Sequence, residues 1–133
     1  MYDVFLIICI FNKLIGYTNC ILQGIDVKGR ILCNKRSLSN ITVELMEKDV
    51  FYDDILNKGK TDVNGYFSLY GRDEEFTVIE PYIKINYICP VLNESKSVST
   101  MFLYPPDTLL KSYNHYSEYY YNFGEIDLYK LLN

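Results

Sequence analysis

Tryptophan is absent, histidine occurs once and no two cysteines stand at Cys-x-x-Cys spacing. Each absence removes a class of chemistry. A lone His115 cannot supply the paired imidazoles of a general acid–base site or a zinc ligand set, and it reads as an exposed loop residue. Without Cys-x-x-Cys there is neither a zinc ribbon nor a dithiol redox motif. Thirteen Lys and Arg face 17 Asp and Glu, and the basic residues never cluster. Phosphate-backbone affinity comes from clustered Lys and Arg, so no nucleic-acid partner is expected. No apolar run reaches the roughly 20 residues that a membrane-spanning helix needs, so no transmembrane segment is expected. Nothing in the chain calls for a cofactor.

At 133 residues the chain is one domain by length, large enough to bury a real core. Its 14 tyrosines and 7 phenylalanines suit strands and contact surfaces, because an aromatic ring fits a pleated, half-buried face and the phenol tip tolerates water. At the N-terminus, Val4-Phe5-Leu6-Ile7-Ile8-Cys9-Ile10-Phe11 has the length of a signal-peptide apolar region. Gly16 and Thr18 then stand at the two small-residue positions that a signal peptidase reads. Residues 1–18 are therefore read as a signal peptide, and residues 19–133 as the mature domain. The alternative is a buried N-terminal strand.

The rest of the chain consists of short alternating runs separated by turn residues, at about 8–12-residue spacing, which is the pattern of an all-β sandwich or barrel. Val27, Gly29, Ile31 and Cys33 share one predicted strand face, and Ile41, Val43 and Leu45 another. Asp53-Asp54 opens a more polar third run. With Asp49 or Glu47 it offers oxygen ligands for a cation, but it reads as a solvated strand start. Asp62-Val63-Asn64-Gly65 predicts a tight turn. It is not a calcium loop, since the EF-hand register would put Lys60 and Gly71 at ligand positions. Tyr66–Tyr70 is the fourth strand, followed by Arg72-Asp73-Glu74-Glu75 as a solvated acidic connection. Strands are predicted near Tyr82–Cys89 and Val98–Tyr104, where Pro105-Pro106 stops the ladder. Residues 107–116 read as irregular or briefly helical. Phe123, Ile126 and Leu128 mark a last strand with a slip at Gly124-Glu125 that suggests a bulge.

Cys33 and Cys89 each end a predicted strand. They can staple two strands through a disulfide, or remain two buried thiols. Cys9 leaves with a cleaved leader, and Cys20 is then unassigned. Asn40-Ile41-Thr42 and Asn93-Glu94-Ser95 are N-glycosylation sequons in predicted turns, with Asn40 and Asn93 as acceptors.

Four pieces in order resemble the nematode transthyretin-like family of secreted proteins, over about residues 24–130. They are Val27-Lys28-Gly29-Arg30-Ile31-Leu32-Cys33-Asn34; Val43-Glu44-Leu45 followed by Asp53-Asp54-Ile55-Leu56; Thr61-Asp62-Val63-Asn64-Gly65-Tyr66-Phe67; and Glu75-Phe76 through Ile79-Glu80-Pro81-Tyr82-Ile83-Lys84-Ile85 to Cys89. The resemblance implies a transthyretin/prealbumin-like seven-stranded β-sandwich, secretion and a binding role. Tyr87 stands where the family commonly has a histidine, and the further cysteine often found after the second one is lacking. A related prealbumin-like fold serves as hydroxyisourate hydrolase, which needs paired histidines, an arginine and a Tyr-Arg-Gly-Ser tail. This chain has one histidine and ends Tyr129-Lys130-Leu131-Leu132-Asn133, so an enzyme is not expected.

Tyr113, Tyr116, Tyr119, Tyr120 and Tyr121 crowd nine residues. Successive strand side chains alternate faces, so several of these rings should be exposed. They form a candidate binding patch, or else cover an edge of the sandwich. The leading functional expectation is an extracellular adaptor that recognises a protein or cell-surface partner. The alternative is a carrier of a small hydrophobic ligand held between subunits, which requires a stable oligomer.

Overall fold

In the computed structural model the chain forms two packed β-sheets, and the structure describes residues 4–15, 21–75, 78–90, 98–111 and 118–132. Helix α1 (Val4–Ile15) precedes β1 (Ile21–Cys33), β2 (Arg36–Ser37), β3 (Thr42–Glu47), β4 (Asp54–Lys60), β5 (Tyr66–Glu75), β6 (Pro81–Tyr87) and β7 (Ser99–Leu103). Short helix α2 (Asp107–Lys111), strand β8 (Glu118–Asp127) and helix α3 (Leu128–Leu132) complete the chain. Among the described residues the fold is the expected sandwich, with seven substantial strands and the two-residue β2 added. None of the described helices is long and apolar enough to cross a membrane.

Strand β1 anchors the first sheet. It pairs antiparallel with β5 along one edge, where β2 continues the ladder, and parallel with β8 along the other. The second sheet runs β4-β3-β6-β7, antiparallel throughout. Alternation puts Ile25, Val27, Ile31, Phe67 and Leu69 inward from one sheet and Val43, Leu45, Ile83 and Ile85 inward from the other. Each fully buried aliphatic side chain contributes about 1.5–3 kcal/mol, so this cluster drives the packing.

Cys33 at the end of β1 and Cys89 just beyond β6 are disulfide-bonded, with Cα atoms 5.6 Å apart. The bond ties one sheet to the other and closes a 56-residue separation. In the chain-entropy model that contributes about 4 kcal/mol, comparable to two core aliphatic residues.

Two turns follow the sequence closely. Asp62 Oδ1 accepts the N–H groups of Asn64 and Tyr66, each at 2.9 Å, while Gly65 adopts φ 82°. A Cβ at Gly65 would lie 2.5 Å from the Ile31 carbonyl oxygen, so only glycine fits. The expected slip near Gly124 is also present. Lys28 pairs with Asn122 but Arg30 with Glu125, so β8 carries one extra residue there, and Gly124 has φ 67°.

The structure departs from the sequence expectation at three places. Arg72-Asp73-Glu74-Glu75 is not a solvated connection: it extends β5, and Glu75 is buried. Backbone pairing of Glu75 with Ile21 outweighs the low strand preference of acidic residues. Strand β1 likewise begins at Ile21, well before Val27. Leu128 starts helix α3 instead of ending the last strand.

The β1–β2 hairpin turns on Asn34 (φ 49°) and Lys35 (φ 67°), a left-handed pair that glycine would adopt more easily. Asp127 compensates. Its carboxylate accepts N–H bonds from Asn34 and Lys35, both at 2.9 Å, and from Tyr129 at 3.2 Å. Burial pushes this carboxyl up, but the Lys35, Asn34 and Tyr129 donors outweigh it and hold the group below the usual carboxylate range. A lowered folded-state value means that the stabilisation is full above the unfolded carboxylate range and is lost as pH falls through the folded value. Asp127→Asn should therefore cost about 1–3 kcal/mol near neutral pH and flatten the acid limb of the stability curve. Urea titrations of both proteins between about pH 2 and 7 check this; identical acid limbs would contradict it.

Candidate functional site

The outward face of the β5–β1–β8 sheet gathers aromatic and charged side chains. Registry dictates this: Asp26 pairs with Tyr70 and Tyr120, Arg30 with Tyr66, and Gly24 with Arg72 and Glu118. Directly paired residues share a face. The Tyr70 hydroxyl donates to Glu118, 2.8 Å from Oε2, and Arg72 reaches Glu118 Oε1 at 3.3 Å. That hydrogen bond, ahead of burial, raises the Tyr70 phenol above its ordinary value. Arg30 stacks 5.1 Å over the Tyr66 ring and meets Glu125 at 3.3 Å. Lys28 lies 5.5 Å over Tyr120. These contacts hold three exposed rings on the outward face of the sheet.

The tyrosine-rich segment divides. Tyr119 is a core residue at 7% exposure, with its hydroxyl 3.5 Å from Gln23 Oε1, so it is not part of a surface patch. Tyr120 is 52% exposed. Tyr121 is half-buried and meets Phe123 edge-on at 4.8 Å. Tyr113, Tyr116 and His115 lie outside the described residues, as do Cys20 and Asn93. Asn40 is exposed in a turn at φ 59°. Cys9, on α1, is fully buried and disulfide-bonded.

A second constellation closes one end of the sandwich. The inward row of β3 runs Val43, Leu45, Glu47, and that of β5 runs Phe67, Leu69, Gly71, Asp73, Glu75. Both rows change from hydrocarbon to carboxylate at the same end. Asp54 pairs directly with Glu47 from β4, and Asp49 stands on the following loop. Glu47 is 2% exposed; its Oε1 accepts the Glu80 N–H at 3.3 Å. Burial, reinforced by the neighbouring Glu75, pushes the Glu47 carboxyl up to about 9. The loop above carries Val50, Phe51 and Tyr52, all exposed, and Asp53 accepts the Tyr82 hydroxyl. Period-two alternation carried past Tyr70 and Leu45 was the available signal for this acidic mouth. It was hidden because acidic residues suggest loops.

The split between the two neighbouring tyrosines is measurable. Tyr119→Ala should cost about 3 kcal/mol or more, as core aromatics do. Tyr120→Ala should cost less than about 1 kcal/mol, since it gives up only a solvated cation–π contact. Chemical denaturation distinguishes them, and equal losses would contradict the assigned faces.

The Transthyretin-like family model matches residues 28–102, from the middle of β1 to β7. That span contains the Cys33–Cys89 disulfide and the whole acidic mouth, and ends before the tyrosine-rich segment. Transthyretin-like protein 16 of Caenorhabditis elegans is 38% identical over 94 residues, covering 70% of this chain and 71% of the relative. Transthyretin-like protein 46 of the same nematode is 45% identical over 69 residues, covering 50% of this chain and 38% of the relative. Among solved structures, a 9R-lipoxygenase from Cyanothece PCC8801 superposes with a TM-score of 0.50 at 20% identity, over 80% of this chain and 17% of that one. That likeness concerns the sandwich fold alone. The match through β1–β7 and the 38% identity over most of the sandwich make the chain a member of the transthyretin-like family.

Proposed function

We propose that the protein is a secreted, non-catalytic adaptor that recognises an extracellular protein or cell-surface partner. The contact surface is the outward face of β5–β1–β8. One observation carries the reading: Tyr66, Tyr70 and Tyr120 share an exposed face, interleaved with Lys28, Arg30, Arg72 and Glu118. Rigid rings with polar tips offer large contact area at low entropic cost, and flanking charges of both signs supply orientation. The chain's single histidine leaves it poorly equipped for acid–base catalysis. Residues 1–18 act as the export signal, cleaved after Thr18, and Asn40 and Asn93 are the glycan acceptors. A disulfide joining Cys33 to Cys89 suits an oxidising compartment.

The second reading is carriage of a small hydrophobic ligand between subunits. It is favoured by β4 and β7, which end their sheet and can pair with a second copy. A sizing column separates the two, since a strict monomer has no between-subunit channel.

Export is tested by the mass and N-terminal sequence of the protein recovered from medium. The expected product begins at Asn19; a product that keeps Met1 excludes the signal-peptide reading. Partner recognition is tested by cross-linked pull-down with the exported protein and a Tyr70→Ala/Tyr120→Ala variant. Losing two central aromatic anchors should lower partner recovery about tenfold or more. Equal recovery by both proteins removes this face as the contact surface.

A further inference from the structure

The acidic mouth breaks a rule that the rest of the core obeys. Inward positions at the ends of β3 and β5 would normally carry hydrocarbon, yet they carry Glu47, Asp73 and Glu75. Burying a carboxylate is unfavourable unless its oxygens are matched by donors or cations. The Glu47 Oε1 has one long bond from the Glu80 N–H, while its Oε2 is buried without a hydrogen-bond donor. Such an orphan oxygen in a residue only 2% exposed calls for a ligand.

The geometry around that oxygen fits one. Glu47, Asp49 and Glu75 each present an oxygen within 4.8 Å of the other two, as do Glu47, Asp54 and Asp73. Glu47 belongs to both sets and is their common centre. Oxygens on opposite sides of a calcium ion stand about 4.6–5.2 Å apart, twice the usual Ca–O distance. For magnesium the separation is about 4.1 Å, in a stricter octahedron. The donor set is all carboxylate, without histidine or thiolate, which selects hard cations over zinc or copper. A cleft of about 350 Å³, lined by Glu47, Lys48, Asp49, Val50, Glu75 and Glu80, opens onto the triad. It gives an ion a way in and leaves room for waters to complete six to eight ligands.

We propose that Glu47, Asp49 and Glu75 bind a calcium ion at this end of the sandwich, with Asp54 and Asp73 supplying further negative charge on its inner side. The ligands come from β3, from the loop after it and from β5, so the ion ties the two sheets together at the end opposite the Cys33–Cys89 disulfide. This site does not depend on the partner-binding face and stands if that reading fails.

The test uses the exported protein after chelator treatment. The chain has no tryptophan, so terbium emission sensitised by tyrosine is free of indole background, and Tyr52 stands on the loop that carries Asp49. Terbium emission should saturate, and calcium should displace it where equal magnesium does not. Added calcium from about 10 μM to about 10 mM should raise the melting temperature in a saturable way, bracketing the affinities of about 10⁻⁴–10⁻³ M typical of extracellular modules. Glu47→Gln should abolish both responses, because it removes the ligand common to both carboxylate sets. Asp49→Asn, on the loop outside the core, should weaken binding at least about tenfold. It decides the matter if Glu47→Gln fails to fold. Absence of a saturable response up to about 10 mM calcium overturns the site, as does wild-type affinity in either variant.

Discussion

Everything in this molecule depends on the register of β1. Its backbone is bonded along both edges, to β5 and β2 on one side and to β8 on the other. A shift by one residue would turn Ile25, Val27 and Ile31 to water and bring Asp26, Lys28 and Arg30 into the core. The cost of that exchange, several kcal/mol per buried charge alone, fixes a single arrangement. Once β1 is fixed, pairing determines which residues of β5 and β8 face out. The hairpin at Asn34-Lys35 ends it, Asp127 holds the hairpin, and the bond from Cys33 to Cys89 anchors its end to the opposite sheet.

Much of this was legible in the residues. The alternation from Val27 to Cys33, the Asp62–Gly65 turn and the bulge at Gly124 all rest on local chemistry, where side-chain period and tolerance of positive φ decide the outcome. The strand ends at Cys33 and Cys89 suggested their pairing, which the fold brings about. What escaped is non-local. Residues 72–75 look like a solvated acidic link, and only pairing with Ile21–Gly24 makes them strand. The tyrosine-rich segment announced exposed rings but could not tell which. Parallel pairing of β8 with β1 is what turns Tyr119 inward beside Ile25 and Tyr120 outward beside Asp26. Nor could local sequence bring Tyr66 and Tyr70 onto the same surface, because they arrive across β1 from another part of the chain.

The two ends of the core are held by different means. At one end a disulfide joins the sheets without burying charge. At the other, carboxylates occupy positions where isoleucine or leucine would each add about 1.5–3 kcal/mol by burial. A fold selected only for stability would fill that end with hydrocarbon, as it does along the rest of β3 and β5. The acidic end therefore carries a deficit in the metal-free protein. Glu47, held up near 9 by burial and Glu75, expresses the same deficit as a proton kept at neutral pH.

Strand β5 carries both constellations. Its outward residues, Tyr66, Tyr70 and Arg72, belong to the aromatic face; its inward residues, Asp73 and Glu75, belong to the acidic mouth. Arg72 and Asp73 are adjacent in the chain and point in opposite directions, which is the simplest consequence of strand geometry. The two surfaces therefore cannot be repositioned independently, because any change in how β5 lies against β1 moves both together. A rigid, doubly bonded β1 keeps the rings of one and the carboxylates of the other in fixed relation. That is the preorganisation that a recognition surface and an ion site each require.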